Sequence, residues 1–139
     1  MSALLRFSAA MRLSGQRAFA RVFARRQTAG NGLIVVHVSP RPENEHARGG
    51  VPTVRLGLSV SRRVGGAVER QQWKRAIREA FRHIQHQLPA GYDYVVVVRA
   101  KTPPVMETLR AMLLSLAEHA VRRPRGRIRQ SRPQRKEST

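Results

Sequence analysis

The chain has no cysteine, a single aspartate, and 8 acidic residues in 139. Without cysteine there is no disulfide frame, no thiolate nucleophile and no zinc site of the cysteine type. With so few acids, no paired carboxylates stand out with separate acid and base roles; Asp93 is the one Asp. Neither a G-x-S-x-G elbow nor a Walker-type loop occurs, and Gly65-Gly66 alone makes a turn, not a phosphate cradle. No run of 18 apolar residues exists, so a membrane-spanning helix is not expected. His83 and His86, with Glu79 a helical turn earlier, come nearest to a metal cluster. No complementary acid or cysteine lies at ligand spacing, so they read as ordinary polar helix surface. No metal site and no catalytic residue is therefore expected on this chain. If it serves a catalyst, the reacting groups come from elsewhere.

What the chain has is positive charge. Lys and Arg number 27, most of them Arg, for a formal charge of +19. Arg suits planar, bidentate contact with phosphate better than Lys does. Charge of this size repels itself in a compact monomer and attracts polyanions, whether RNA, DNA or an anionic surface. The densest stretch is SRRVGGAVERQQWKRAIREAFR, from Ser61 to Arg82. It carries Arg62, Arg63, Arg70, Lys74, Arg75, Arg78 and Arg82 against Glu69 and Glu79. At 3.6 residues per turn, Trp73, Ile77, Ala80, Phe81, Ile84 and Leu88 share one side of a helix. Lys74, Arg75, Arg78 and Arg82, with Gln71 among them, share an arc roughly 120° away. Surface helices that merely stay solvated usually mix signs at four-residue spacing. Here Arg70, Lys74 and Arg78 repeat one sign at that spacing, which destabilises an isolated helix by roughly 0.2–0.5 kcal/mol per pair. A polyanion opposite them relieves that repulsion.

Taken in order, residues 1–11 show no pattern and are expected to be disordered. The first 42 residues contain no acid, and their Arg-rich, Ser-containing character also fits an organellar transit peptide. Against that, Phe19 and Phe23 are placed as the domain core needs them. Ser14 is an expected N-cap for a helix over 15–25, with Ala18, Phe19, Val22 and Phe23 on one side. Phe19 and Phe23 either pack inward or line a groove where bases stack. Residues 33–38 read as a β-branched strand after the Gly30-Asn31-Gly32 turn. Residues 39–53 read as a flexible loop, and 54–61 as a half-buried strand. These two strands are expected to pair as an antiparallel hairpin. The basic helix spans about 67–87, ended by Leu88-Pro89-Ala90-Gly91. Residues 92–99 (YDYVVVVR) read as a strand buried on both faces. Thr102 with Pro103 opens a last helix with Val105, Leu109, Met112, Leu113, Leu116 and Ala120 on its apolar stripe. Eight basic residues follow from Arg122 on, read as a disordered tail, 122–139, adding non-specific affinity. Residues 12–121 form one α+β domain with helices on a small mixed sheet.

The run LGLSVSRRVGGAVERQQWKRAIREAFR, followed by LPAGYDYVVVVRA, resembles the protein component of bacterial ribonuclease P. Upstream, Arg12-Leu13 and Phe19-Ala20-Arg21-Val22-Phe23 look like that family's first helix. The likeness covers about residues 12–121. It implies three helices on about four strands in the order α-β-β-β-α-β-α. A short extra strand would precede residue 31, and the β-α-β crossover would be left-handed, against the usual rule.

The resemblance implies a subunit of an RNA-based endoribonuclease, with a catalytic RNA and precursor tRNA as partners. The RNA would cut with bound Mg²⁺, leaving a 5′-phosphate on mature tRNA and a 3′-hydroxyl on the leader. RNA-binding residues would be Arg62, Arg63, Arg70, Gln71, Lys74, Arg75, Arg78 and Arg82. The family's Arg-Asn-Arg-x-x-Lys-Arg box falls on Arg70-Gln71-Gln72-Trp73-Lys74-Arg75. Gln71 keeps an amide where Asn is usual, one methylene longer. Gln72 in place of Arg removes one positive charge. The 5′ leader would lie against Phe19, Phe23, His37 and Arg63, with His37 where an aromatic is common. Trp73 belongs to the core. No membrane and no obligate protein partner are implied, and the expected compartment is the bacterial cytoplasm, organellar import being the alternative. A ribosomal-type RNA-binding protein with no catalytic association would share the basic helix but not the leader groove. A DNA-binding protein would be expected to show a helix-turn-helix pair, and none is visible.

Overall fold

The computed structural model describes residues 11–42 and 54–123. Seven elements follow one another: α1 (Gln16–Arg25), β1 (Thr28–Gly30), β2 (Ile34–Pro40), β3 (Val54–Ser59), α2 (Ala67–Ile84), β4 (Tyr92–Val98) and α3 (Met106–Arg122). The four strands form one mixed sheet in the order β1-β2-β4-β3. β1 and β4 each run antiparallel to β2, and β3 runs parallel to β4. The fold is α+β, and β3-α2-β4 is the β-α-β unit that parallel neighbours require.

Alternation along the strands gives the sheet two faces. Ile34, Val36 and Val38 of β2, Tyr94, Val96 and Val98 of β4, and Val54 and Leu56 of β3 all join one core. α2 brings Trp73, Ile77, Ala80, Phe81 and Ile84 to it, and α3 brings Leu109, Leu113, Ala117 and Ala120. Each large apolar side chain so buried stabilises the fold by roughly 1.5–3 kcal/mol. Trp73 is wholly buried, with its indole N–H donating to the Lys101 carbonyl at 3.1 Å. Among the described residues, the other face is covered by the ten-residue α1 and the segment before it, where Val22 and Leu13 meet Val95.

Several boundaries differ from the sequence reading. The expected hairpin of β2 with β3 does not form, because β4 lies between them. Its Val95, buried on the α1 face, and Val96, buried in the main core, fill both layers at once, which an edge position cannot provide. α1 is capped by Gly15, not Ser14; its φ of 93° is one that serine adopts only with strain. α3 starts after Val105, past both prolines, so Val105 is exposed and not part of the core stripe. α2 ends at Ile84, and β2 continues to Pro40. Met11, expected in a disordered leader, is 1 % exposed in the main core. It opens a short extended segment along the free edge of β3, with Leu13 N–H donating to the Leu56 carbonyl at 2.9 Å. Arg122 closes α3 and Arg123 donates to the Thr28 carbonyl at 2.8 Å, so neither belongs to a free tail. The expectations for residues 1–10, 43–53 and 124–139 lie outside the described residues.

One polar cluster holds α1 to the sheet. Asp93 is fully buried on the α1 face of β4. Arg55 of β3 donates to it twice at 2.8 Å, and Arg21 of α1 once at 2.7 Å. Arg41 stands 4.0 Å away. Removing one partner of a buried pair leaves the other charge uncompensated. Asp93→Asn should therefore lower unfolding free energy by roughly 3 kcal/mol, the low end of the usual range because Arg21 is partly hydrated. Urea titration checks this; an unchanged midpoint would show that the arginines need no carboxylate.

Candidate nucleic-acid interface

β-sheet register brings residues distant in sequence into one row on the α1 face. His37 of β2 pairs with Val95 of β4, and Val95 with Gly57 of β3. Phe23 stands over one end of this row and Phe19 over the other. The Phe23 and His37 rings meet edge to face with centroids 4.8 Å apart, and Phe19 meets Phe23 at 6.2 Å. Such contacts hold rings in place with about 0.5–1.5 kcal/mol beyond burial. A Cβ at Gly57 would lie 2.6 Å from the Phe19 ring tip, so the ring rests directly on bare backbone. Phe23 keeps 37 % of its surface exposed and Phe19 is half-buried, so both have ring surface left for a ligand.

Phe19 also borders a cavity of about 270 Å³. Gly57 and Leu58 contribute from β3, and Lys74 and Arg78 from α2. Two groups of expected site residues, the aromatic and the basic, thus meet in one concavity. Burial, then the nearby Arg12 charge, push the Arg78 guanidinium below its ordinary value. It still carries its charge at neutral pH, since an arginine is not deprotonated in proteins. A cation pressed by another cation is well matched to an arriving phosphate.

The remaining expected residues spread along the same side of α2 and the turn before it. Arg62 and Arg63 are exposed in the turn after β3; Arg63 is not part of the Phe19 cavity lining. Gln71 and Arg75 are exposed, and Arg70 is half-buried with its Nε bonded to no protein group. Arg82 is differently placed. It grips Glu79 through contacts of 2.6 and 3.2 Å, and His83 joins the same carboxylate at 3.0 Å. Those contacts hold the Glu79 carboxyl below its usual range and raise Arg82. Arg82 therefore offers a partly neutralised charge. The spacing of Glu79, Arg82 and His83 at i, i+3, i+4 was the signal for that pairing. The sequence reading also missed Gln27, whose amide caps the last carbonyls of α3 at Ala120 and Val121, both at 3.0 Å. Its amide oxygen accepts from Arg25 at 3.1 Å, so one buried side chain ties the end of α1 to the end of α3.

The arrangement does not fit a divalent cation. Asp93 faces arginines, Glu79 faces Arg82 and His83, and Glu69 accepts the Gly66 N–H at 3.0 Å. Among the described residues no three His, Cys, Asp or Glu side chains are grouped to hold a metal, and no helix is long and apolar enough to cross a membrane.

The comparisons point one way. Residues 7–123 match the ribonuclease P family. The chain is 34 % identical over 115 residues to the ribonuclease P protein component of Geobacillus kaustophilus, covering 83 % of this chain and 87 % of that one. It is 38 % identical over 98 residues to the corresponding protein of Chloroflexus aurantiacus, covering 70 % and 65 %. Among solved structures, the RNase P protein from Thermotoga maritima superposes with a TM-score of 0.63 at 31 % identity, over 77 % of this chain and 94 % of that one. The Staphylococcus aureus RNase P protein gives 0.64 at 26 %, over 79 % and 94 %.

Burial pushes the His37 imidazole below its ordinary value of 6.5, and its Nδ1 is bonded to no protein group. The unfolded chain therefore takes up this proton first. The His37 contribution to stability is fully present above pH 6.5 and is lost as the pH falls toward the lowered folded value. Urea midpoints measured across that window should fall less steeply for His37→Phe than for the parent; identical slopes would place His37 in solvent.

Proposed function

We infer that this chain, which belongs to the ribonuclease P protein family, binds the catalytic RNA of that enzyme and the 5′ leader of its precursor tRNA. In this reading it is the protein component of an endoribonuclease that makes the mature tRNA 5′ end, with cleavage carried by the RNA. The observation that supports it most is the cavity shared by the Phe19 ring and the Lys74 and Arg78 cations. Single-stranded nucleic acid presents alternating flat bases and charged phosphates. A protein that holds it without strict sequence preference offers rings for the first and cations for the second. Base stacking of this kind contributes roughly 1–3 kcal/mol per base.

The labour divides by location. Phe19, Phe23 and His37 stand on the α1 face of the sheet and would meet the leader, with Arg63 reaching toward it from the turn. Arg62, Arg70, Gln71 and Arg75 run along α2 and its approach and would hold the structured RNA through its phosphates, while Lys74 and Arg78, which also border the Phe19 cavity, would stand where the two RNAs meet. Arg82 would contribute less, because Glu79 already answers it. The carboxylates near this surface are engaged with arginine, histidine or backbone, and in this reading the magnesium would be held by the RNA partner. Such an assembly belongs in a bacterial cytoplasm.

Reconstitution tests the reading. The full chain combined with its catalytic RNA should stimulate cleavage of precursor tRNA at low Mg²⁺ over RNA alone. Arg75→Ala should weaken RNA assembly and flatten its salt dependence by roughly 0.7–0.9 log units per decade of salt, the increment for one lost phosphate contact. Phe19→Ala should leave assembly nearly intact and reduce the preference for leader-bearing over mature tRNA. No stimulation in any mixture would defeat this function and leave a structural RNA-binding role.

A further inference from the structure

α1 has a second flank, away from the Phe19 ring. There a cavity of about 430 Å³ is walled by Arg12, Arg17, Arg21 and Arg55, with Ser14 and Gly15 at its inner edge. Among the described residues, no acidic side chain contributes to that lining. Four like charges around one space repel one another, and a low-dielectric wall strengthens the repulsion. Asp93 answers them from behind. It holds Arg55 by the two 2.8 Å contacts and Arg21 by the 2.7 Å one. One carboxylate neutralises one guanidinium equivalent and fixes the direction of two. The Arg55 side chain is only 15 % exposed, so its position is set by the fold.

This cavity adjoins the one beside Phe19. Arg12, Leu13, Ser14 and Gly15 belong to the lining of both. The segment 12–15, leading into α1, therefore borders both cavities. The two cavities differ in chemistry. The first pairs an aromatic ring with cations; the second, among the described residues, has guanidinium groups and no ring. A surface of that second kind holds phosphates without reading bases.

We propose that the arginine-lined cavity is a second phosphate-binding subsite, taking the backbone of the same single-stranded RNA that occupies the Phe19 cavity, with Asp93 as its positioning residue. This rests on the reading of the Phe19 cavity as a leader site and extends it. A strand entering beside Phe19, Lys74 and Arg78 passes Arg12 and lays its next phosphates against Arg17, Arg21 and Arg55. The Phe19 cavity selects for unpaired bases, and the arginine-lined cavity adds length-dependent affinity without sequence preference.

Arg17 tests this best, because it is exposed and lies outside the Asp93 cluster. Binding of the full-length chain to labelled oligouridylates of about three to twelve nucleotides, a range spanning one to two subsites, is followed by fluorescence anisotropy. In the parent chain affinity should rise with length and then level off. Arg17→Glu should hold the shortest oligomers within about twofold and remove about tenfold from the longest, with the salt slope there reduced by about 0.7. Arg110→Glu makes the same charge change on α3, across the sheet, and should lower all lengths equally and slightly. If Arg17→Glu weakens short and long oligomers alike, or matches Arg110→Glu, the second subsite is overturned while short-oligomer binding keeps the Phe19 site. If the parent chain binds no oligomer of any length, both fall together.

Discussion

A carboxylate with no water around it, gripped by arginines from two other elements, holds the working face of this protein in register. Asp93 lies on β4, Arg55 on the edge strand β3 and Arg21 on α1. Replacing such a cluster with well-fitted apolar groups often leaves stability unchanged or improves it, so its value here is positional. α1 is short, and its apolar contacts with the sheet are few: Val22 and Ala18, with part of Phe19. Apolar contact alone is non-directional and would let a ten-residue helix slide. The Arg21–Asp93 bond sets where along β4 the helix sits, and hence where both phenylalanines stand.

From that placement follows a division of the molecule into a dry side and a charged one. Two long helices seal one face of the sheet, with Trp73 and Tyr94 among the side chains that fill it. Tyr94 donates to the Pro89 carbonyl at 2.7 Å, and burial pushes its phenol well above the usual range, so it stays a neutral donor. The other face is left partly open. α2 serves both sides: its apolar stripe enters the core while Lys74 and Arg78 reach the cavity beside Phe19. The excess charge of the chain makes approach to a polyanion fast and weakly selective. In the proposed function selectivity would fall to the rings, since aromatic side chains stack on bases that are not already paired.

How much of this was readable beforehand depended on the range of the interaction. The two sides of α2 are written in a local period, and Trp73, Ile77 and Phe81 are buried as that period requires. The uninterrupted apolar run of β4 announced a strand covered on both faces. Strand partnership is a different kind of information. Val54 to Ser59 alternates equally well whether its neighbour is β2 or β4, and only the placement of the double-sided strand decides it. β1 is three residues, Thr28–Gly30, too short to show alternation; it entered only through family resemblance. Gln27 and Asp93 looked like ordinary polar residues because their partners lie as far as 93 and 72 positions away. By contrast Arg82 could have been read as engaged, since Glu79 is one turn from it.

Gly57 gives the furrow a floor made of main chain. Because the tip of the Phe19 ring rests over bare backbone at Gly57, no rotamer change at that residue can deepen or fill the spot. Peptide planes in a paired strand barely move between bound and free states, so a guest meets the same hard surface each time. If the proposed function holds, adaptability toward different nucleotides would reside in the long cationic arms around it, above an anvil that does not yield.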